Sequence, residues 1–82
     1  MVLGRTTVHP NPTEGPLLVS IQDYIPDHAI FYLYDIIGKQ VFHQRVFKDW
    51  NSLDLTFLPA RTDFYIVKDR DKVIVRGKVV RM

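Results

Sequence analysis

The stretch that decides the fold is AIFYLYD, residues 29–35, which is apolar at almost every position. In an extended chain Phe31 and Leu33 share one face, while Ile30 and the two tyrosines share the other. A strand with apolar side chains on both faces is typical of the interior of a sheet, where tyrosine hydroxyls still reach an edge. The stretch therefore predicts a central strand of a β-sheet.

The rest of the chain is also rich in predicted strands. Runs of Val, Ile, Leu, Phe and Tyr recur roughly every 8 to 12 residues with turn residues between them, which is typical of an antiparallel sandwich or barrel. No window longer than about ten residues keeps a helical stripe of apolar residues free of Pro and Gly, so no helix is predicted. The seven predicted strands cover residues 5–8, 17–22, 29–35, 40–47, 51–56, 64–68 and 72–81.

Length and composition indicate one small globular domain. A chain of 82 residues has room for one core, and 46% hydrophobic residues provide enough apolar surface to fold it. The chain has no cysteine, which excludes a disulfide framework and thiolate metal sites. Its longest uncharged apolar run, AIFYLY, is much shorter than a membrane span, and the N-terminal residues lack the layout of a signal peptide.

Positive charge is concentrated at the C-terminal end of the chain. Residues 1–67 contain five Lys or Arg and seven Asp or Glu, whereas residues 68–82 contain six and two. In KVIVRGKVV, Val73 and every second residue after it share one face, and Arg76 and Lys78 lie on the other, partly polar face. We interpret the basic residues as the solvated face of an edge strand; the alternative is a basic handle for an acidic or receptor partner.

A rigid corner is predicted at HPNPTEG, residues 9–15. Pro10 and Pro12 each fix φ at about −65° and push the preceding residue out of the helical region. Neither proline can donate to a β-ladder, so pairing from the first strand must end here. Gly15 can supply a positive φ before the next strand begins at Leu17.

The sequence contains no recognisable catalytic motif. It has two serines and three histidines, and no nucleophile-elbow, phosphate-loop or metal-helix pattern. His9, His28 and His43 lie in three different segments without ligand-like spacing, which favours surface or turn positions over a metal site. No catalytic residue, metal site or cofactor is therefore predicted.

Two other kinds of binding site are weaker interpretations. Asp23, Asp27 and Asp35 could hold Ca²⁺, but the calcium-loop pattern is missing and Asp is common in β-turns. Aromatic residues interleaved with basic ones could form a platform with a basic rim that binds nucleic acid. The alternative is that these aromatic residues belong to the hydrophobic core, and no RNA-binding signature supports the platform. That platform would use Tyr32, Tyr34, Phe42 and Phe47 with Lys39, Arg45 and Lys48.

Five segments in a fixed order resemble a known family. They are VHPNPTEGPLLVSI, FYLYDIIGKQV, LDLTFLPA, FYIVKD and KVIVRGKVVRM, and they cover nearly the whole chain. The ordered set resembles the C-terminal sorting domain of the type IX secretion system. The positions that match the family pattern are Pro10, Asn11, Pro12, Thr13, Gly15, Leu33, Tyr34, Asp35, Gly38, Lys39, Val41, Asp54, Leu55, Leu58, Pro59, Tyr65, Val67, Lys78, Val80 and Arg81.

The resemblance implies an immunoglobulin-like antiparallel β-sandwich that has no catalytic activity and no cofactor. It implies a single C-terminal sorting domain, excised from a larger secreted precursor of a Bacteroidetes-type bacterium, with cargo linked on its N-terminal side. The implied route runs through the periplasm and the type IX translocon to the cell surface or the outside, where a sortase-like cysteine peptidase removes the domain. A receptor would read the last strand by strand addition or through its Lys and Arg heads, and the same exposed edge favours an edge-strand homodimer.

The chain departs from the family pattern in LPARTDFY, where a glycine is missing and two residues are added. Alignment on Tyr65 puts Asp63 in the place of that glycine, so we expect Asp63 or a reshaped loop to supply a left-handed turn. Met82 is a second departure, because the family usually ends on a lysine or arginine.

The alternative function is an immunoglobulin-like interaction module that binds protein or carbohydrate through its loops. Tyr24 and Trp50, two aromatic loop residues, are candidates for a binding platform in such a module. We expect them instead to fill the ends of the small core.

Overall fold

Seven strands make up the fold of the part of the chain that the structure describes. The computed structural model describes residues 5–10 and 12–82, so that Asn11 of the predicted corner lies outside the described residues. All seven predicted strands are present, and each of their ends lies within two residues of its predicted position. The strands are β1 (Arg5–His9), β2 (Pro16–Gln22), β3 (Ala29–Tyr34), β4 (Gln40–Val46), β5 (Asp49–Asp54), β6 (Thr62–Asp69) and β7 (Lys72–Val80). No helix in this described part of the chain has the length and hydrophobicity needed to cross a membrane.

The strands form two antiparallel sheets that pack face to face as a sandwich. One sheet has three strands in the order β1-β2-β5, and the other has four in the order β4-β3-β6-β7. Because β3 lies between β4 and β6, the predicted central strand is confirmed, and β7 lies at an edge as expected. The chain crosses between the sheets after β2, β4 and β5, which is the immunoglobulin-like arrangement that the resemblance implies.

The core lies between the sheets, where alternate residues of the strands point inward. On β3 this alternation buries Ala29, Phe31 and Leu33 and leaves the residues between them partly exposed. A fully buried aliphatic or aromatic side chain contributes about 1.5–3 kcal/mol, so the buried apolar side chains stabilise the packing of the two sheets. The buried apolar side chains are Leu17, Val19, Ile21, Ala29, Phe31, Leu33, Val46, Leu53, Leu55, Val67 and Val79.

The turn between β4 and β5 is tighter than predicted, and β5 begins two residues earlier, at Asp49. Asp49 has a φ of 74°, in the left-handed region that Asp tolerates. The buried side chain of Asn51 accepts a hydrogen bond from the Phe47 N–H at 2.8 Å and donates to the Phe47 and Val19 carbonyl oxygens at 2.8 and 3.1 Å. These bonds close the turn and hold it to β2.

The predicted inner face of β7 is wrong at Val73. Val75 pairs with Val67 but Val73 pairs with Lys68, so Ile74 is an extra residue that makes a bulge in β7. This bulge leaves Val73 exposed and lets Ile74 pack against the core instead. Val79, farther along the strand, is buried as predicted.

Candidate functional site

The segments that carry the predicted sorting motifs lie at one end of the sandwich. In the four-stranded sheet, β3 ends where β6 begins, because Tyr34 pairs with Phe64, and β7 ends there too, because Val80 pairs with Thr62. In the three-stranded sheet, β2 begins where β5 ends. We call this the motif end, and it consists of the β1–β2 corner (10 and 12–15), the β3–β4 turn (35–39), the β5–β6 connection (55–61) and the end of β7 with the two residues after it (80–82).

Thr13 joins the β1–β2 corner to the end of the last strand. Its N–H donates to the Val80 carbonyl oxygen at 2.9 Å, and its carbonyl oxygen accepts from the Met82 N–H at 2.9 Å. These two bonds make a parallel bridge between Thr13 and Arg81, and both residues are buried. The corner therefore does more than end β1, since it also links the two sheets at the motif end.

Hydrogen bonds and close packing at Gly15 fix the end of the corner that leads into β2. Its N–H donates to the Thr13 hydroxyl at 3.1 Å, that hydroxyl donates to the Pro16 carbonyl oxygen, and the Gly15 carbonyl oxygen accepts from the Leu55 N–H at 3.0 Å. The φ of Gly15 is 140°, so the predicted positive φ is confirmed. A Cβ at this position would lie 2.4 Å from Cγ2 of Thr56, which leaves room only for glycine.

Asp63 and Arg81 form a buried ion pair at the motif end. The Asp63 carboxylate is fully buried and accepts from Nη2 of Arg81 and, at 3.0 Å, from Nε of Arg61. The side chain of Arg81 is 2% exposed, whereas that of Arg61 is 37% exposed. Removing one partner of a buried pair costs about 3–5 kcal/mol, so Asp63 and Arg81 depend on each other.

The expectation that Asp63 supplies a left-handed turn is wrong. Asp63 lies within β6, opposite Val79, and its strand conformation directs the carboxylate into the core toward Arg81. The loop before β6 is reshaped instead, with the Leu58 N–H donating to the Leu55 carbonyl oxygen at 3.1 Å. Among the described residues other than glycine, a positive φ occurs at Asp23, Asp49 and Arg70.

Basic residues of β7 and its end differ in exposure. Arg76 and Lys78 are exposed on the outer face of β7, as the edge-strand interpretation predicts. Arg81 is buried against Asp63, so the expectation that its head is exposed for a receptor is wrong. Within the described part of the chain, Nε and Nη1 of Arg81 are buried and make no hydrogen bond.

Asp35 organises the β3–β4 turn. Its Oδ1 accepts from the N–H groups of Ile37 and Lys39 at 3.0 and 2.9 Å, and its own N–H donates to the Lys39 carbonyl oxygen at 2.9 Å. Gly38 has a φ of 88°, which completes the turn. Ile36 and Ile37 are 77% and 83% exposed, so the tip of the turn presents two apolar side chains to solvent.

The β5–β6 connection is held by a local turn and by one apolar contact. Oδ1 of Asp54 accepts from the Thr56 hydroxyl at 2.6 Å and from its N–H at 3.0 Å, and these two hydrogen bonds lower the pKa of Asp54. Leu58 packs against the core, whereas Pro59 is exposed. The leucine of the LPA motif thus anchors the connection and its proline faces solvent.

Tyr65 serves as a packing residue beside the motif end. Its ring stacks on Phe31 with centroids 5.7 Å apart, and burial raises the pKa of Tyr65. Gly77 pairs with Tyr65 across the strands, and a Cβ on Gly77 would lie 2.8 Å from the tyrosine hydroxyl oxygen. The lack of a side chain at Gly77 therefore leaves the space that the Tyr65 side chain occupies.

The opposite end of the sandwich holds the DYIPDH loop through Asp69. Its carboxylate accepts from the Tyr24 hydroxyl and from the N–H groups of Asp27 and His28 at 3.0 and 2.7 Å. Burial alone would raise the pKa of Asp69, but these hydrogen bonds outweigh it and the pKa is lowered. The bond to Asp69 and burial together raise the pKa of Tyr24 to about 12.

The two aromatic residues that the sequence predicts to lie in loops differ, because Tyr24 lies in a loop and Trp50 lies within β5. Tyr24 packs against the core and is hydrogen-bonded there, as expected. Trp50 is 60% exposed and makes an edge contact with His9 at 5.9 Å, so the expectation that it fills the core is wrong.

Residues of the weaker interpretations do not converge on one site. His9, His28 and His43 lie on β1, in the loop before β3 and on β4, while Asp23 and Asp27 each pair with an arginine. Among the residues that the structure describes, no group of three His, Asp or Glu could hold a metal ion.

The aromatic residues considered for nucleic acid are also divided between faces. Tyr32 and Tyr34 stack on the outer face of the four-stranded sheet with centroids 6.3 Å apart. Phe42 packs against the core, and Phe47 lies beneath the Arg45 guanidinium at 5.1 Å. These aromatic side chains do not form a single platform.

Sequence reasoning missed the buried carboxylates of β6. Asp63 and Asp69 stand at the two ends of an inward face that otherwise holds Tyr65 and Val67. A charged residue at an inward position of a predicted strand indicates a buried pair, because such residues are almost never buried alone. That signal was present, but the partner Arg81 is not identifiable without the register of β6 and β7.

Comparisons with known proteins agree with these observations. A family model described as a secretion system C-terminal sorting domain matches residues 7–81, nearly the whole chain. A search of curated proteins gives no match. The matched range includes every segment of the motif end except its last residue.

Proposed function

The chain belongs to the family of type IX secretion C-terminal sorting domains, and on this premise we propose that the secretion machinery recognises it at the motif end. Domains of this family are C-terminal sorting signals for the type IX system. Membership of this family implies that the protein is exported through the outer membrane to the cell surface or the extracellular space. We propose that the motif end is the part of the molecule that carries the sorting signal.

One observation supports the proposal above the others, namely the convergence of four distant motif segments on one end of the sandwich. Contacts of Thr13, Gly15 and Asp63 hold three of these segments together, namely the β1–β2 corner, the β5–β6 connection and the end of β7. The same end presents large apolar side chains to solvent, where a receptor can reach them. These exposed side chains are Ile36, Ile37, Phe57 and Met82, with exposed fractions of 77%, 83%, 66% and 72%.

The motif residues then have two roles. We assign a shaping role to those that are buried or that form turns, such as Thr13, Gly15, Asp35, Gly38 and Arg81. The exposed ones are assigned a contact role. They are Pro10, Pro12, Lys39, Pro59 and Lys78.

The route and partners are proposals that follow from family membership. The domain is the C-terminal unit of a longer secreted precursor, with its cargo covalently linked on the N-terminal side. It passes through the periplasm to the type IX translocon, and a sortase-like peptidase removes it at the surface. The domain itself catalyses no reaction in this scheme.

An edge-strand homodimer through β7 is a further proposal. The position of β7 at the edge of its sheet supports it, because an edge strand offers backbone groups for pairing. The Thr13 bridge occupies a backbone group of β7 at Val80, so the proposed dimer uses the first half of the strand, residues 72–76. Sedimentation velocity at rising concentration measures such a dimer, and a monomer throughout would contradict it.

Fusion to a passenger tests the proposed function. Residues 1–82 are placed behind a periplasmic passenger in a bacterium that has the type IX system, and the surface-exposed passenger is quantified. We expect display with the domain and none without it, or in a host that lacks the translocon. Equal display with and without the domain would overturn the proposal.

A further inference from the structure

We propose that the outer face of the four-stranded sheet docks an acidic protein segment in which carboxylates surround apolar side chains. This inference rests on the proposed function, because the segment belongs to the component that holds the domain during export. It adds a surface distinct from the turns of the motif end. The two regions adjoin at Tyr34, Phe64 and Lys78.

The register of the strands defines the outer face. Residues that pair across the sheet share a face, so two complete rows of outward side chains follow from the pairing. The row nearest the motif end contains Gln40, Tyr34, Phe64 and Lys78. The next row contains His43, Tyr32, Ile66 and Arg76. Each row thus has an apolar or aromatic centre, with a basic residue at the β7 side.

A shallow groove runs along this face between β6 and β7. Its volume is about 370 Å³, and its mouth includes Phe64, which is 47% exposed. The dimensions and apolar lining suit one or two apolar side chains of a partner. The groove is lined by Phe64, Tyr65, Ile66, Arg76, Gly77 and Lys78.

The charge of the face selects the partner. A third row across the sheet contains Arg45, Ile30, Lys68 and Val73. No residue of the three rows is Asp or Glu, and four of them are basic: Arg45, Lys68, Arg76 and Lys78. The carboxylates of β6 point inward, as described above for Asp63 and Asp69.

A face of one charge sign around an apolar centre attracts carboxylates and repels basic segments. A neutral apolar segment would make the same apolar contacts in the groove but would not be attracted by the positive charge around it. The complementary occupant is therefore an acidic, partly apolar protein segment.

Binding of a defined peptide tests the face directly. The probe is a short peptide that alternates glutamate with leucine and phenylalanine, and the matched control replaces each glutamate by glutamine. We expect the acidic peptide to shift the amide resonances of Phe64, Ile66 and Arg76 in the isotope-labelled domain. It should bind about tenfold or more tightly than the glutamine peptide, and added salt should weaken it.

Charge reversal supplies the second arm of the test. Arg76→Glu with Lys68→Glu should abolish binding of the acidic peptide. Arg5→Glu with Lys48→Glu, which changes the net charge equally away from the face, should leave it within about twofold. Thermal unfolding of both variants checks that the fold is retained. No shift on the face, equal binding of the glutamine peptide, or tighter binding of a single-stranded oligonucleotide or anionic vesicles would each overturn the proposal.

The passenger assay separates this inference from the proposed function. If the unaltered domain gives no display, the proposed function fails. If the unaltered domain gives display and the Arg76→Glu, Lys68→Glu variant gives equal display, the sorting function stands and the docking face is overturned. Reduced display for that variant, with normal display for the control pair, supports the docking face.

Discussion

Thr13 and Arg81 form a parallel bridge that joins the first corner of the chain to the end of its last strand. The two residues are far apart in sequence, yet both belong to the segments that resemble the family pattern. Their bridge explains why a proline-rich corner and a basic C-terminal strand occur together in one domain. Each segment supplies hydrogen-bond partners to the backbone of the other.

Thr13→Val tests the hydroxyl of this bridge residue. The substitution removes the acceptor for the buried Gly15 N–H and the donor to the Pro16 carbonyl oxygen. We expect a loss of about 1–3 kcal/mol in the free energy of unfolding, measured by chemical denaturation. Thr7→Val, on the exposed side of β1, should change it by less than about 0.5 kcal/mol. Equal losses for the two variants would contradict the account.

Asp63→Ala tests the buried ion pair. It leaves the Arg81 guanidinium buried without its counter-charge, so we expect a loss of about 3–5 kcal/mol in the free energy of unfolding. Arg61→Ala removes only the half-exposed partner and should cost less than about 1 kcal/mol. Adding Arg81→Met to Asp63→Ala should restore part of the stability, since no buried charge is then left unpaired. If the double variant is no more stable than Asp63→Ala, an uncompensated charge is not the cause.

Gly15→Ala tests the contact between the corner and the β5–β6 connection. Gly15 and Gly38 both have a positive φ, so an alanine at either site should cost about 1–2 kcal/mol in backbone strain. Only Gly15 adds a clash with Thr56, because a Cβ on Gly38 has no atom within 4 Å. Denaturation should therefore show a further loss of about 1–3 kcal/mol for Gly15→Ala. Equal stability of the two variants would contradict the predicted clash between residue 15 and Thr56.

The pH dependence of stability reports on the opposite end. Since the folded-state pKa of Asp69 is lowered, its contribution is present above the ordinary Asp pKa and is lost as the pH falls through the folded value. The raised pKa of Tyr24 has the opposite sign, so its contribution is complete below pH 10.0 and is lost as the pH rises toward about 12. Denaturation curves across pH should show both losses.

Tyr24→Phe separates these two contributions. The substitution should remove the part of the stability loss at high pH that Tyr24 causes. It should also reduce the stability loss at low pH, because Asp69 then lacks its hydroxyl donor. The two backbone donors to Asp69 remain and should keep some acid dependence. If the stability of Tyr24→Phe falls at high pH as much as that of the unaltered domain, the role given to the hydrogen bond between Tyr24 and Asp69 is contradicted.

Much of the fold is predictable because apolar alternation decides it locally. The stretch 29–35 predicts a central strand from its own residues, and the sheet order confirms this position. The bulge at Val73 is not predictable in this way, because it depends on the pairing of β7 with β6. Local patterns contain no information about such a shift in register.

The candidate site shows the same division between local and distant causes. The turn at Asp35 and the positive φ of Gly15 follow from residue types that favour turns. The left-handed turn predicted at Asp63 is wrong, because a residue that borders a loop need not share the conformation of the loop, and Asp63 lies in β6. Its partner Arg81 lies directly after another strand, β7, and an alternating pattern does not say which charges meet inside a sandwich.

Display of a passenger by two matched variants tests the central claim, that the motif end is the part of the domain that is recognised. Ile36→Ser alters the tip of the β3–β4 turn, and Ile25→Ser alters the loop at the opposite end; both isoleucines are 77% exposed. Both variants should keep the stability of the unaltered domain, because neither side chain is in the core. We predict that surface display falls with Ile36→Ser and is unchanged with Ile25→Ser. Equal display for the two variants, or a loss confined to Ile25→Ser, would contradict the claim.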